Sequence, residues 1–250
     1  TRLPETTFVL PPSTPEASYR LRIFSPRREV PFAGHPSDGN AHVLHDAGQA
    51  TPLDGLLMQE GAVGVLPLRV DGAGTSRTIA VRTPRAQVVR VGEPTTDDAL
   101  RAALANLPAG DLPPALVDGG RRWWLAEVRD EATLRGATPD WDAIGALARA
   151  TESMGVCAYA RTPGRDYDLA VRAFVGAPAA FEDAASGAAN ATLAAWLASR
   201  DALPGRDGRY TVSQGREVGY DARLQLRVDA AGDVWSGGHV RTIVNGQIDW

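Results

Sequence analysis

From Tyr19 to Phe24 apolar and charged residues alternate, with Tyr19, Leu21 and Ile23 set against Arg20 and Arg22, and this period of two predicts a strand buried on one face. Residues 6–10 predict another strand, and Pro11-Pro12-Ser13-Thr14-Pro15 after it cannot enter a ladder and forms a loop. Further strands are predicted at 56–59, 63–70 and 78–82, parted by turns at Asp71-Gly72 and Gly74. The pattern changes at Thr83-Pro84, where a domain boundary is expected because proline forbids helical continuation. Thr95-Thr96-Asp97-Asp98 then caps a helix with Leu100, Ala103, Leu104 and Leu107 on one face, and 140–150 is a second amphipathic helix with Trp141, Ile144 and Leu147 inward. Asp118-Gly119-Gly120 joins a hairpin, and strands are predicted at 156–159, 169–175, 210–213, 224–228 and 240–244, the last before an Asn245-Gly246 turn. Two further helices, 40–47 and 190–199, each follow a turn rich in small residues. Many strands with few helices predict an α+β chain of two similar halves, 1–83 and 84–239, with 240–250 returning as the last strand of the first.

Composition narrows the chemistry. At 250 residues and 44% hydrophobic the chain can bury a sizeable core. A net charge of −4 with arginines scattered among 30 acids argues against a nucleic-acid partner. The sequence contains no lysine, which excludes Schiff-base chemistry and a covalently held pyridoxal phosphate, since both need an amine. One cysteine, Cys157, cannot form an internal disulfide, and no apolar run approaches the ~18–20 residues of a membrane span. A reducing cytoplasm and no membrane partner are expected.

Two stretches carry the candidate chemistry. In Phe32-Ala33-Gly34-His35-Pro36 an imidazole sits between a residue free to take positive φ and one that fixes φ, before an apolar helical run at Asn40. Such a turn aims backbone N–H groups at one point and can hold a carboxylate or a developing oxyanion. Glu182-Asp183-Ala184-Ala185-Ser186-Gly187-Ala188 has the same outline some 150 positions on. Two such turns facing each other would make a cleft. His42 and His45 with Asp46 fall short of the three or four ligands zinc requires, and no metal is expected.

These stretches, with Glu5-Thr6-Thr7-Phe8 and Arg22-Ile23-Phe24-Ser25-Pro26 before them, resemble the phenazine-biosynthesis PhzF-like isomerases, whose motifs run SETTF, RIFTP, ELPFAGHP and EDxxTGSA. Ser213-Gln214-Gly215 and Gly237-Gly238 are similar to the family's QG and GG elements, so the resemblance covers the whole chain. It implies the diaminopimelate-epimerase-like fold, each half a curved sheet around a central helix with the active site between them, and a homodimer. It implies a cofactor-independent isomerase in which Glu5 is the general acid/base, with Asp183 and His35 positioning and polarising a small carboxylate, which Gly34, Pro36, Ser186, Gly187 and Ala188 of the two turns would bind. The expected reaction shifts a proton, as a double-bond or tautomer migration, in an amino-acid-derived intermediate of specialised-metabolite, antibiotic-type biosynthesis. Alternatives are a racemase or epimerase at Cα and a non-catalytic ligand-binding or partner protein of the same fold. Three departures point to a different substrate or to a weakened catalyst: Pro4 for the family's serine before the acid, Ala188 for the serine of TGS, and Gly219-Tyr220 for a Gly-Arg pair. Family members carry about forty residues before the SETTF strand that this sequence does not show, and three expectations stand open: the sequence is a shortened piece of a longer one, the segment is cleaved and lost, or it stays bound as a separate N-terminal peptide that completes the first half as a further partner.

Overall fold

The computed structural model describes residues 5–247, and Pro4 lies outside them. The chain divides into two compact units, residues up to 82 together with those from 237 on, and residues 83–236.

The first unit contains β1 (Thr6–Leu10), β2 (Tyr19–Phe24), β3 (Glu29–Val30), α1 (Gly34–Asp46), β4 (Leu56–Gly61), β5 (Gly64–Asp71) and β6 (Thr78–Arg82). Its strands run in the order β1-β2-β4-β5-β6, with β3 folded back on β2. Tyr19, Leu21 and Ile23 are each 3% exposed, so the alternation along β2 does place one face in a core shared with Leu57, Leu68, Ile79 and Val81. Helix α1 buries Gly34, Ser37, Asp38, Ala41 and Leu44, a stripe of helical spacing, against β6 and β1.

The second unit contains β7 (Gln87–Val91), α2 (Asp98–Ala103), β8 (Ala115–Asp118), β9 (Arg122–Glu127), α3 (Glu131–Gly136), α4 (Trp141–Ala150), β10 (Gly155–Arg161), β11 (Leu169–Val175), β12 (Phe181–Asp183), α5 (Gly187–Ser199), β13 (Arg209–Gln214), β14 (Ala222–Val228) and β15 (Val234–His239), whose last residues belong to the first unit. The order β14-β13-β11-β10-β9-β8-β7 forms its curved sheet, with β12 on β11. Alternate residues of β10 serve two cores: Cys157 and Tyr159 pack on the side of α5, and Val156, Ala158 and Ala160 on that of α2, α3 and α4. Burial on both faces accounts for the nearly unbroken apolar run of β10 and β11. Helix α5 is apolar almost all round and packs against β8, β9, β10 and β14.

Three expectations are corrected. Both small-residue turns are helix starts: α1 begins at Gly34 and α5 at Gly187, not at 40 and 190, and Gly34 is helical and absent from the positive-φ glycines. Proline lacks an N–H that the first helical turn does not need, so His35-Pro36 opens the helix and does not delay it. The last strand lies at Val234–His239, and residues 240–247 form none. Short α3 and the exposed edge strand β7 carry no pattern that announced them.

Candidate active site

The two units repeat one device. In the first, β2 turns back as β3, α1 follows, and β4 lies parallel to β2; in the second, β11 turns back as β12, α5 follows, and β13 lies parallel to β11. Arg22 on β2 grips Glu29 through two bonds of 2.9 and 2.8 Å, and Arg172 on β11 grips Glu182 through bonds of 3.0 and 2.8 Å. Each guanidinium also lies over the phenylalanine two residues on, Phe24 at 5.0 Å and Phe174 at 4.8 Å. The return strand is thereby fixed, and with it the start of the helix that carries the candidate residues.

Within the first turn of each helix a polar side chain bonds back to the cap. Ser37 Oγ donates to Ala33 O at 2.9 Å, and Asn190 Nδ2 donates to Ser186 O at 2.8 Å. A buried glutamine on the following parallel strand meets each of them: Gln59 Nε2 donates to Ser37 Oγ at 3.0 Å, and Gln214 Oε1 accepts from Asn190 Nδ2 at 2.8 Å. The other end of the Gln59 amide accepts from Tyr19 Oη at 3.2 Å. Gln214 instead reaches into the turn, accepting from Ser186 N at 3.3 Å and donating to Asp183 O at 2.7 Å. Sequence reasoning finds Gln214 only as part of a motif and misses Gln59 entirely; a glutamine in a strand otherwise apolar is the available signal.

In the first unit, Glu5 is half-buried immediately before β1. Two residues on, in β1, Thr7 Oγ1 accepts from Asn40 Nδ2 at 2.8 Å, and Asn40 also donates to Pro36 O at 2.7 Å. A short chain of hydrogen bonds thus joins β1, which Glu5 immediately precedes, to the helix start of His35 and Pro36. His35 is exposed on the first turn of α1, and Gly34 beside it is buried.

In the second unit, Asp183 ends β12 half-buried, its Oδ1 accepting from Ala185 N at 3.2 Å. Ser186 caps α5 by accepting from Ala189 N at 3.3 Å, which commits its hydroxyl locally. The N–H groups of Gly187 and Ala188 precede the first intrahelical donor, Asn190 N bonding to Ser186 O, and are free at the helix start, where a negative group is favoured. Gly187 and Ala188 are the places where an anion could be received once Ser186 is spent on capping. Glu182, in contrast, is bound to Arg172 with both side chains nearly enclosed, at 4% and 6% exposure, and serves structure. Cys157 is register-linked to Asp183 through Ala173 and lies fully buried. Burial, then the nearby Asp183 charge, pushes its thiol up to about 12, so it stays protonated and is no nucleophile.

This arrangement is an α+β, diaminopimelate-epimerase-like fold, the class that a solved probable proline racemase and a solved hydroxyproline epimerase also adopt. The family model for phenazine biosynthesis-like proteins matches residues 1–247, and the chain belongs to that family. A trans-2,3-dihydro-3-hydroxyanthranilate isomerase of Pseudomonas aeruginosa is 30% identical over 92% of this chain and 77% of its own. Antisense-enhancing sequence 1 of Schizosaccharomyces pombe is 28% identical over 99% of this chain and 85% of its own. Among solved structures, a predicted epimerase from Pseudomonas aeruginosa is 25% identical and superposes with a TM-score of 0.78 over 99% of this chain and 84% of that one. The enzyme class supported by these relatives is isomerase. No helix among the described residues is long and apolar enough to cross a membrane.

Proposed function

We propose that the protein catalyses a cofactor-independent proton shift in a small, amino-acid-derived carboxylate, as a step of specialised-metabolite biosynthesis. Glu5 takes the proton from one carbon and returns it at another. His35 and Asp183 orient and polarise the substrate, and the amides of Gly34, Gly187 and Ala188 receive its carboxylate or the charge that develops, with Pro36 and Ser186 shaping the helix starts. The observation that carries this reading is the hydrogen-bonded path from Thr7, two residues after half-buried Glu5, through Asn40 to Pro36, which ties the strand that follows Glu5 to the helix start bearing His35. The relative named for trans-2,3-dihydro-3-hydroxyanthranilate suggests that acid as the first substrate to try. With that acid in deuterated water, Glu5→Gln is expected to cut deuterium incorporation about 10²–10⁴-fold while leaving its binding nearly intact. Exchange at the wild-type rate would remove Glu5 from the mechanism.

Two observations keep other readings open to the same experiment. Similarity to a predicted epimerase favours inversion at Cα, and following the configuration of the deuterated product separates that from double-bond migration. A relative named for antisense enhancement favours a non-catalytic member, for which carboxylates would bind with no turnover across a panel of amino-acid-like acids.

A further inference from the structure

We propose that Gln214 is the positioning residue of the second helix start, setting where Asp183 and the amide of Ser186 stand; this rests on the site reading above. Gln59 and Gln214 lie on corresponding strands of the two repeats, β4 parallel to β2 and β13 parallel to β11, each meets the side chain four residues after the helix cap, and they are 3% and 0% exposed; in register they stand two positions apart, Gln59 opposite Tyr19 and Gln214 opposite Val171. Their amides are turned oppositely. Gln59 spends its N–H on Ser37 and its carbonyl on Tyr19, both away from any candidate acid. Gln214 spends its carbonyl on Asn190 and on Ser186 N, and its N–H on the carbonyl of Asp183. A carboxamide is the one side chain of this length that accepts at one end and donates at the other at every pH. The turn between Asp183 and Ser186 is thereby held at both ends by one residue.

The next residue tightens the hold. Gly215 has φ of 89°, and a Cβ there would stand 2.4 Å from Ala184 O, so the backbone after Gln214 lies directly against the middle of the same turn. On the other flank Arg135 Nη2 donates to Ser213 Oγ at 3.0 Å and Arg135 Nη1 to Glu217 Oε1 at 2.9 Å, bracketing Gln214 in the chain. Gln214 touches no reacting atom; it fixes residues proposed to do so.

Substitution by glutamate gives the discriminating test. In Gln214→Glu the protonated carboxyl keeps both roles, accepting from Ser186 and Asn190 and donating to Asp183 O. Once ionised, that carboxyl loses the donor and turns an oxygen toward the Asp183 carbonyl. The probe is 3-hydroxyanthranilate, its binding measured by calorimetry from pH 5 to pH 8 and expressed as a ratio to wild type at each pH, so that the probe's own ionisation cancels. Gln214→Leu is expected to weaken binding at least tenfold throughout. Gln214→Glu is expected to bind within about threefold of wild type at pH 5 and at least tenfold more weakly at pH 8. Should Gln214→Leu not fold, the pH-dependent ratio of Gln214→Glu decides alone. Binding by Gln214→Leu within twofold of wild type, or a flat ratio for Gln214→Glu, overturns the proposal. Failure of wild type itself to bind the probe overturns the site reading, and this inference with it.

Discussion

Asp38 stands in surroundings that its ionised side chain does not prefer. It sits on the buried stripe of α1, 7% exposed, with Oδ1 meeting no hydrogen-bond partner among the described residues and its carboxyl taking a bond from the Val81 amide. Burial pushes its pKa well above the usual carboxylate range, and the Val81 bond opposes this only in part. Because the folded pKa exceeds the unfolded one, the native state binds this proton more tightly. The resulting stability is complete below the unfolded value, about 4, and is lost as pH rises through the folded value. Asp38→Asn keeps an acceptor for Val81 and cannot ionise. The variant is therefore expected to exceed wild type in stability at neutral pH by on the order of 1–3 kcal/mol, with the difference shrinking toward pH 4. Urea denaturation at a series of pH values checks this, and a gap that stays constant with pH would show that ionisation is not the cause. Nothing in the sequence marks Asp38, since an acid beside Gly39 reads as a solvated loop residue until the helix is known to start at Gly34. The misplaced helix start and the silence over Asp38 have one cause.

At the scale of the element, the two Arg–Glu clamps test what burial does to an otherwise constant interaction. Arg22 and Glu29 are exposed at 46% and 41%, whereas Arg172 and Glu182 are at 6% and 4%. Arg172 also donates to Leu134 O at 3.0 Å and Ala137 O at 2.7 Å, at the C-terminal end of α3, so it ties three elements together. Removing an exposed partner returns the other to water, while removing a buried one strands a charge. Arg172→Met is expected to destabilise by about 3–5 kcal/mol, and adding Glu182→Met to recover a large part of that loss. Arg22→Met should leave the denaturation midpoint unchanged. Equal effects of Arg22→Met and Arg172→Met in urea would contradict the argument. Much of this level is legible in the sequence: β1 falls where a strand is predicted, β2 where alternation puts it, and Asp140 caps α4 by accepting from Ala143 N at 3.0 Å. The repeat is visible as an outline of acid, turn and helix. What stays hidden is that Arg172, in the middle of an apolar strand, satisfies the acid that the motif makes conspicuous; charge pairing across strands is not written in either strand's own periodicity.

The whole molecule adds one constraint that neither residue nor element shows, because the chain leaves the second unit and re-enters the first within β15, between Ser236 and Gly237. Alternation favours Val240, Thr242 and Val244 as the closing strand, and glycines at 237 and 238 argue against the segment that actually pairs. Tertiary contact reverses that preference. A Cβ on Gly237 would stand 1.9 Å from Ile79 O and 2.5 Å from Ala80 Cα, so β15 reaches β6 only with no side chain there. Both obstacles are backbone, with no rotamer to yield. Gly237→Ala is accordingly expected to destabilise the first unit by about 1–3 kcal/mol or more, whereas Gly246→Ala, with nothing within 4 Å, should be neutral. Hydrogen exchange read amide by amide locates the effect: faster exchange along β5 and β6 is expected in Gly237→Ala, with the amides of β10 and β11, buried on both faces of the second unit's sheet, serving as the internal reference. Wild-type exchange in β6 of that variant would mean that a side chain is tolerated there and the glycine is not required.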